Sequence, residues 1–203
     1  MKILIKDVRL REKTTDILIN NGVIEEISEK CTTPVDKIIN GKNKAALPSF
    51  INGHTHAAMT LFRGYADDMP LKNWLEDKIW PLEAKLTEEE MYWGSKLACL
   101  EMLKNGVTVF NDMYWYWEAT AKAVCVMGVR GWLSAVFFDM FDADKGKEQI
   151  DLNIELFERS AKYKPHVTFT FGPHAIYTVS AESLKWIRDF SEKHGILIHM
   201  HLS

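Results

Sequence analysis

The chain has 203 residues, 47% of them hydrophobic, with 25 Lys+Arg against 28 Asp+Glu and a formal net charge of -3. It carries no basic block and hence no nucleic-acid footprint, and no apolar run reaches the ~18 residues of a membrane span. The opening Met1-Lys2-Ile3-Leu4-Ile5-Lys6-Asp7 is charged too soon for a signal peptide, and the scattered Cys31, Cys99 and Cys125 read as reduced thiols of a cytoplasmic protein.

Residues 1–48 read as β structure. Lys2 to Arg9 is β-rich, and Asp16 to Ile27 is a hairpin whose two runs flank Asn21-Gly22. Lys37 to Gly41 and Ala45 to Pro48 add short strands. The expectation is the N-terminal half of a small β-sandwich. From residue 49 strands and helices alternate. Phe50 to His54 is a strand; Leu71 to Leu86 is helical but interrupted by Pro81. Thr87-Glu88-Glu89-Glu90 is a capping box opening a helix that stops at Gly106. Strands follow at 107–112, 130–139, 167–172 and 196–202. Helices lie between them at 117–127, 148–162 and from Ser180 to His194. Strands separated by helices pair in parallel through right-handed crossovers. Two architectures fit: an open doubly wound sheet, or a (β/α)8 barrel cut short. No Gly-x-Gly-x-x-Gly follows a strand, which disfavours the dinucleotide-binding version.

The polar residues gather at strand ends. His54 and His56 close the first strand of this part, and residues two apart on a strand share a face. Asp112 and Asp139 end the next two; His174 ends the fourth; His199 and His201 end the fifth. His166 and His194 lie elsewhere. In a barrel, the C-terminal strand ends open on one face, where catalysis is built. Two readings of His54-Thr55-His56 stay open: satisfied histidines on a strand rim, or ligands of one metal with a histidine of the 199/201 pair. The clustering favours the metal, zinc first, with iron or manganese as alternatives. Such a site serves hydrolysis. Asp112 and Asp139 fit equally well as caps of the helices that follow, since aspartate is a favoured cap. Tyr177 and Trp115 read as rim packing.

Leu47 to His56 resembles the first-strand signature of the amidohydrolase superfamily. Leu61 to Asp68, and Trp74-Leu75 through Glu83, are similar to its 5-methylthioadenosine/S-adenosylhomocysteine deaminase branch, which groups with s-triazine chlorohydrolases. Gly172 to Thr178 and Ile198 to Ser203 resemble the fourth- and fifth-strand motifs of that branch. The resemblance implies a metal-dependent barrel, with His54, His56 and His201 as ligands, His174 on the purine and Glu83 on the ribose hydroxyls. His199 would support the ligands. The implied reaction is attack of metal-bound hydroxide on C6 of an adenine nucleoside, releasing ammonia. The partner is then a small-molecule nucleoside. Ser49 stands where the family has glycine, and residues 132–136 lack an arginine common in relatives. The family continues into a proton-shuttling Glu, a further His and a metal-binding Asp. The expectation is therefore an α/β chain holding about five of eight barrel strands over 49–203, inactive by itself. Two alternatives are a triazine- or guanine-type hydrolase, and a non-catalytic half-barrel that pairs its edges with another copy as a homo-oligomer.

Overall fold

Asn21 and Gly22 both take positive φ, 48° and 82°, the conformation a two-residue hairpin turn requires and glycine adopts without strain. The turn joins strand β2 (Lys13–Asn20) to β3 (Val23–Ser28). With β1 (Lys2–Leu10) and β4 (Lys37–Asn40) they form one sheet in the order β3-β2-β1-β4. β1 runs antiparallel to β2 and parallel to β4. A bulge lies between Ile5 and Val8. There the Asp7 amide donates to the buried Asp16 carboxylate at 2.9 Å, and the Cys31 amide takes its other oxygen at 2.9 Å. The structure, a computed structural model, describes residues 1–202. It divides into two units, Met1–Ser49 and the chain from Phe50 onward. Among the described residues the first unit is a single sheet. The strand expected over Ala45 to Pro48 is reduced to one bridge between Arg9 and Ala45.

The second unit is built on a parallel sheet of β5 (Phe50–Thr55), β6 (Val107–Tyr114), β7 (Arg130–Phe137) and β8 (Val167–Pro173), paired in chain order. A 3₁₀ turn (Ala57–Phe62) follows β5. Next come α1 (Leu71–Asn73), a π-helical stretch (Trp74–Ile79) and α2 (Trp80–Glu83). Pro81 has no N–H to continue the ladder, and just before it the bonding widens, the Trp80 amide reaching the Leu75 carbonyl. Helix α3 (Glu88–Lys104) opens on the expected capping box, with both of its reciprocal bonds formed. Its Gly94 passes so close to the 3₁₀ turn that a Cβ there would sit 2.8 Å from the Ala58 carbonyl oxygen.

Helices α4 (Trp117–Met127), α5 (Ala143–Ser160) and α6 (Ala181–His194) cover the sheet. Helix α5 starts earlier than its apolar spacing indicates. Its charged first turn hides the period, and Asp142 caps it by accepting from the amides of Asp144 and Lys145. The core is a band of Phe110, Leu133, Phe137, Phe171, Val124 and Ile187. Each such side chain contributes about 1.5–3 kcal/mol on burial.

The expected fifth strand is present only as a bridge between Phe171 and Ile198. The Phe171 amide donates to the Leu197 carbonyl at 2.9 Å and the His199 amide to the Phe171 carbonyl at 2.8 Å. The next ladder bond would need an N–H from Pro173, which has none. The His201 amide bonds the His174 carbonyl instead, at 3.0 Å. Among the described residues no helix is long and apolar enough to cross a membrane.

Candidate metal centre

Parallel pairing in chain order brings the C-terminal ends of β5 to β8 to one side of the sheet. His54 and His56 lie two apart at the end of β5. The segment alongside β8 carries His199 and His201 to the same place. The ring centroids of His54 and His56 are 4.9 Å apart, and the His201 ring is 4.8 Å from that of His54 and 5.3 Å from that of His56. One nitrogen from each of the three lies within 4.8 Å of the others. Small ring rotations would let one cation with bonds of about 2.1 Å sit among them.

Hydrogen bonds select which nitrogens remain free. His56 Nδ1 is 2.6 Å from the Met113 carbonyl oxygen. A carbonyl only accepts, so Nδ1 carries the proton and Nε2 keeps its lone pair. His54 Nδ1 is 2.7 Å from His199 Nε2. In the tautomer that frees His54 Nε2, His54 donates and the His199 proton sits on Nδ1, a buried atom with no partner among the described residues. His199 thus orients a ring rather than joining the trio, the usual place for a group that fixes a ligand tautomer. Burial lowers the pKa of His54, and the neighbouring His56 adds to this. Burial together with the surrounding histidines takes His199 and His201 to about 4. For His54 and His201 these shifts favour the neutral ring that ligation requires.

His174 follows β8, with its ring 5.0 Å from that of His201. Its Nδ1 is 2.9 Å from Thr178 Oγ1, and that hydroxyl donates to the Ala175 carbonyl. The hydroxyl therefore accepts Nδ1–H, which leaves His174 Nε2 an acceptor. Tyr177 is exposed, its ring 6.1 Å from that of His174.

Glu83 is set back from the histidines. The buried Tyr114, at the end of β6, has its ring 5.8 Å from His56 and donates its hydroxyl to Glu83 Oε1 at 2.5 Å. Trp115 Nε1 reaches Oε2 at 3.5 Å. Burial raises the Glu83 pKa, and these two donors partly offset it. Sequence reasoning passes over Tyr114. Its signal is an aromatic at a strand end one residue before Trp115.

The two aspartates hold structure together, though not on the helices directly after their strands. Asp112 accepts from the Ala57 amide at 2.6 Å, at the start of the 3₁₀ turn that follows His56. Asp139 accepts from the amides of Phe141 and Ser180, each at 2.9 Å, and from Ser180 Oγ at 2.7 Å. His166 bonds the Val129 carbonyl, and His194 stacks on Phe190, both away from the cluster. Cys99 is buried, and all three cysteines are free.

Comparison with known proteins places this geometry. A profile described as the amidohydrolase family matches residues 45–203. The chain is 46% identical to 5-methylthioadenosine/S-adenosylhomocysteine deaminase 1 of Archaeoglobus fulgidus, over 94% of its own length and 47% of that protein. It is 43% identical to the 5'-deoxyadenosine deaminase of Methanocaldococcus jannaschii, over 99% of its length and 49% of the relative. Among solved structures it is similar to an adenosine deaminase from Xanthomonas campestris with bound zinc, with a TM-score of 0.88 and 28% identity, over 98% of this chain and 48% of that one. The chain spans about half the length of the relatives it matches.

Proposed function

The chain belongs to the amidohydrolase family, and on that premise we propose that it carries the metal-binding part of a hydrolytic deaminase acting on adenine nucleosides. The observation that carries this reading is the convergence of three imidazole nitrogens from His54, His56 and His201 within 4.8 Å. The nucleoside class follows from relatives named for 5-methylthioadenosine, S-adenosylhomocysteine and 5'-deoxyadenosine. The four parallel strands are read as the opening strands of a (β/α)8 barrel, an architecture that gathers catalytic groups at the C-terminal strand ends.

A divalent cation held by the three histidines, with zinc preferred for imidazole and iron or manganese as alternatives, would supply Lewis-acid activation of water near neutral pH. The remaining roles belong to side chains. His174, turned by Thr178, offers Nε2 as an acceptor to the purine amino edge. Glu83, its carboxylate aimed by Tyr114 and Trp115, takes the ribose hydroxyls. Hydrolysis at C6 then releases ammonia and leaves an inosine-type product.

The test is made on the whole protein that carries this sequence. Zinc should bind at one ion per chain, and His56→Ala should abolish that binding. The zinc-loaded protein should release ammonia from 5'-deoxyadenosine or 5-methylthioadenosine. Glu83→Ala should raise KM for nucleosides and leave zinc content unchanged. Undiminished ammonia release after complete chelation, or zinc retained in His56→Ala, would overturn the reading.

A further inference from the structure

The strand that carries two of the histidines loses its regular ladder where they begin. Asn52 pairs with Phe110 and Thr55 with Asp112, so three steps along β5 match two along β6. The extra residue makes a bulge between Asn52 and Thr55, across His54. The strand ends at Thr55. His56 follows at φ -115° and ψ 75°, at the head of the 3₁₀ turn, and its side chain makes no bond that caps the turn. Strand pairing therefore stops short of the second histidine.

What holds that point comes from β6, in two crossed bonds. The backbone carbonyl of Met113 takes the His56 ring at Nδ1, and the side chain of Asp112 takes the backbone amide of Ala57, both at 2.6 Å. Two successive residues of β6 thus grip two successive residues beyond β5. Asp112 and Ala57 are 3% and 2% exposed. The Ala57 amide is one of the orphan donors at the start of a helical turn, and a buried donor seeks a partner. Without Asp112 it has none among the described residues and must turn elsewhere. Turning it rotates the peptide that joins it to His56. The His56 ring then leaves the Met113 carbonyl, the partner that keeps the proton on Nδ1 and the lone pair on Nε2.

We propose that Asp112 is a positioning residue for the metal centre: by holding the Ala57 amide it fixes the backbone beyond the bulge and, through it, the His56 ring and its tautomer. This role presupposes the metal site proposed above. It needs an acceptor at position 112 and not a charge. Asparagine offers a carbonyl oxygen in the same place; alanine and leucine offer none.

The test uses the whole protein that carries this sequence, with zinc competition against a chromophoric chelator and nitrogen NMR of the imidazoles in the metal-free state. Asp112→Ala and Asp112→Leu should each weaken zinc by about 10–100-fold, the usual worth of a group that supports a ligand. Asp112→Asn should stay near the wild type. Metal-free, His56 should be the Nδ1–H tautomer in the wild type and in Asp112→Asn, and a mixture of tautomers in Asp112→Ala. Asp139→Ala, which loosens the fold away from the histidines, should leave zinc affinity unchanged. Hydrogen exchange at the Ala57 amide needs no variant and should be slow in the wild type. Fast exchange there would overturn the proposal. So would unchanged zinc affinity in both Asp112→Ala and Asp112→Leu, as when packing of the 3₁₀ turn on Gly94 suffices, or an Asp112→Asn variant as weak as Asp112→Ala. Equal weakening by Asp139→Ala would reduce the effect to general loosening and overturn it as well. A wild type that takes up no zinc would instead overturn the metal site itself, and this role with it.

Discussion

Asp112 lies within β6 and Asp139 just beyond β7, both buried, and they titrate in opposite directions. Burial alone pushes a carboxylate up, because it disfavours the charged form. Asp112 has one donor, the Ala57 amide, and burial takes its pKa from 3.8 to about 7. For Asp139 burial also acts upward, but hydrogen bonds from Ser183, Ser180 and the amides of Phe141 and Ser180 outweigh it and lower the pKa. Desolvation and donors decide the charge together: Asp112 is the more deeply desolvated and has the fewer donors. The same rule extends across the cluster. Burial drives the histidines down and Glu83 up, each toward its neutral form. The histidine side thus keeps lone pairs for a cation, and Asp139 stands apart as a carboxylate committed to structure.

The largest effect should come from breaking the donor-rich member of this pair. Asp139→Ala strands the Phe141 and Ser180 amides and frees the Ser180 cap of α6. Loss of several buried bonds to a charged group costs about 2–4 kcal/mol, read as a lower urea midpoint at neutral pH. The lowered folded pKa means that Asp139 contributes stability above its unfolded value of 3.8. That contribution is lost as pH falls through the folded value. The gap between variant and wild type should therefore narrow in acid. Asp112 has the opposite sign: its contribution is full below 3.8 and disappears as pH rises through about 7. A gap that widens on acidification would reverse the assignment of the two aspartates.

The histidine side tests the rule with a metal as the readout. His199 is the partner that fixes His54, and supporting groups of this kind are worth about 10–100-fold in metal affinity. His199→Ala should weaken zinc by that factor in a competition titration with a chromophoric chelator, while the trio of His54, His56 and His201 stays intact. Unchanged affinity would mean that His54 is oriented by its strand alone.

The histidine side was legible in the sequence because strand geometry has a period of two. His54 and His56 had to share a face once Phe50 to His54 was a strand, and the alternation of elements brought His174 and His201 to the same end. The acid side was legible only through family resemblance. Glu83 rides on a helix whose π-helical stretch before Pro81 breaks the 3.6-residue period, so spacing could not say where its carboxylate points. The fifth strand is shorter than its apolar run suggests, because the run does not reveal that the missing N–H of Pro173 ends the ladder beside it. The reach of Asp139 to Ser180 spans 41 residues, and no local pattern encodes it. Asp112 and Asp139 bind amides at the starts of elements distant in the chain, not of the helix that follows each strand.

The smallest expected effect lies where the two sides of the site meet. Tyr114 is near His56 by its ring and bound to Glu83 by its hydroxyl. Tyr114→Phe keeps the ring and removes the donor, so the fold should lose only about 1 kcal/mol. The sharper consequence is electrostatic. The Tyr114 hydrogen bond lowers the Glu83 pKa against the upward push of burial. Without it the pKa should rise further, as followed by NMR titration of the Glu83 side-chain carboxyl. A raised folded pKa gives stability that is complete below the unfolded value of 4.5 and lost as pH rises through the folded value. The variant should therefore match the wild type most closely in acid and fall behind toward neutral pH. If the Glu83 titration does not move, the short contact does not orient the carboxylate, and Trp115 alone would have to aim it.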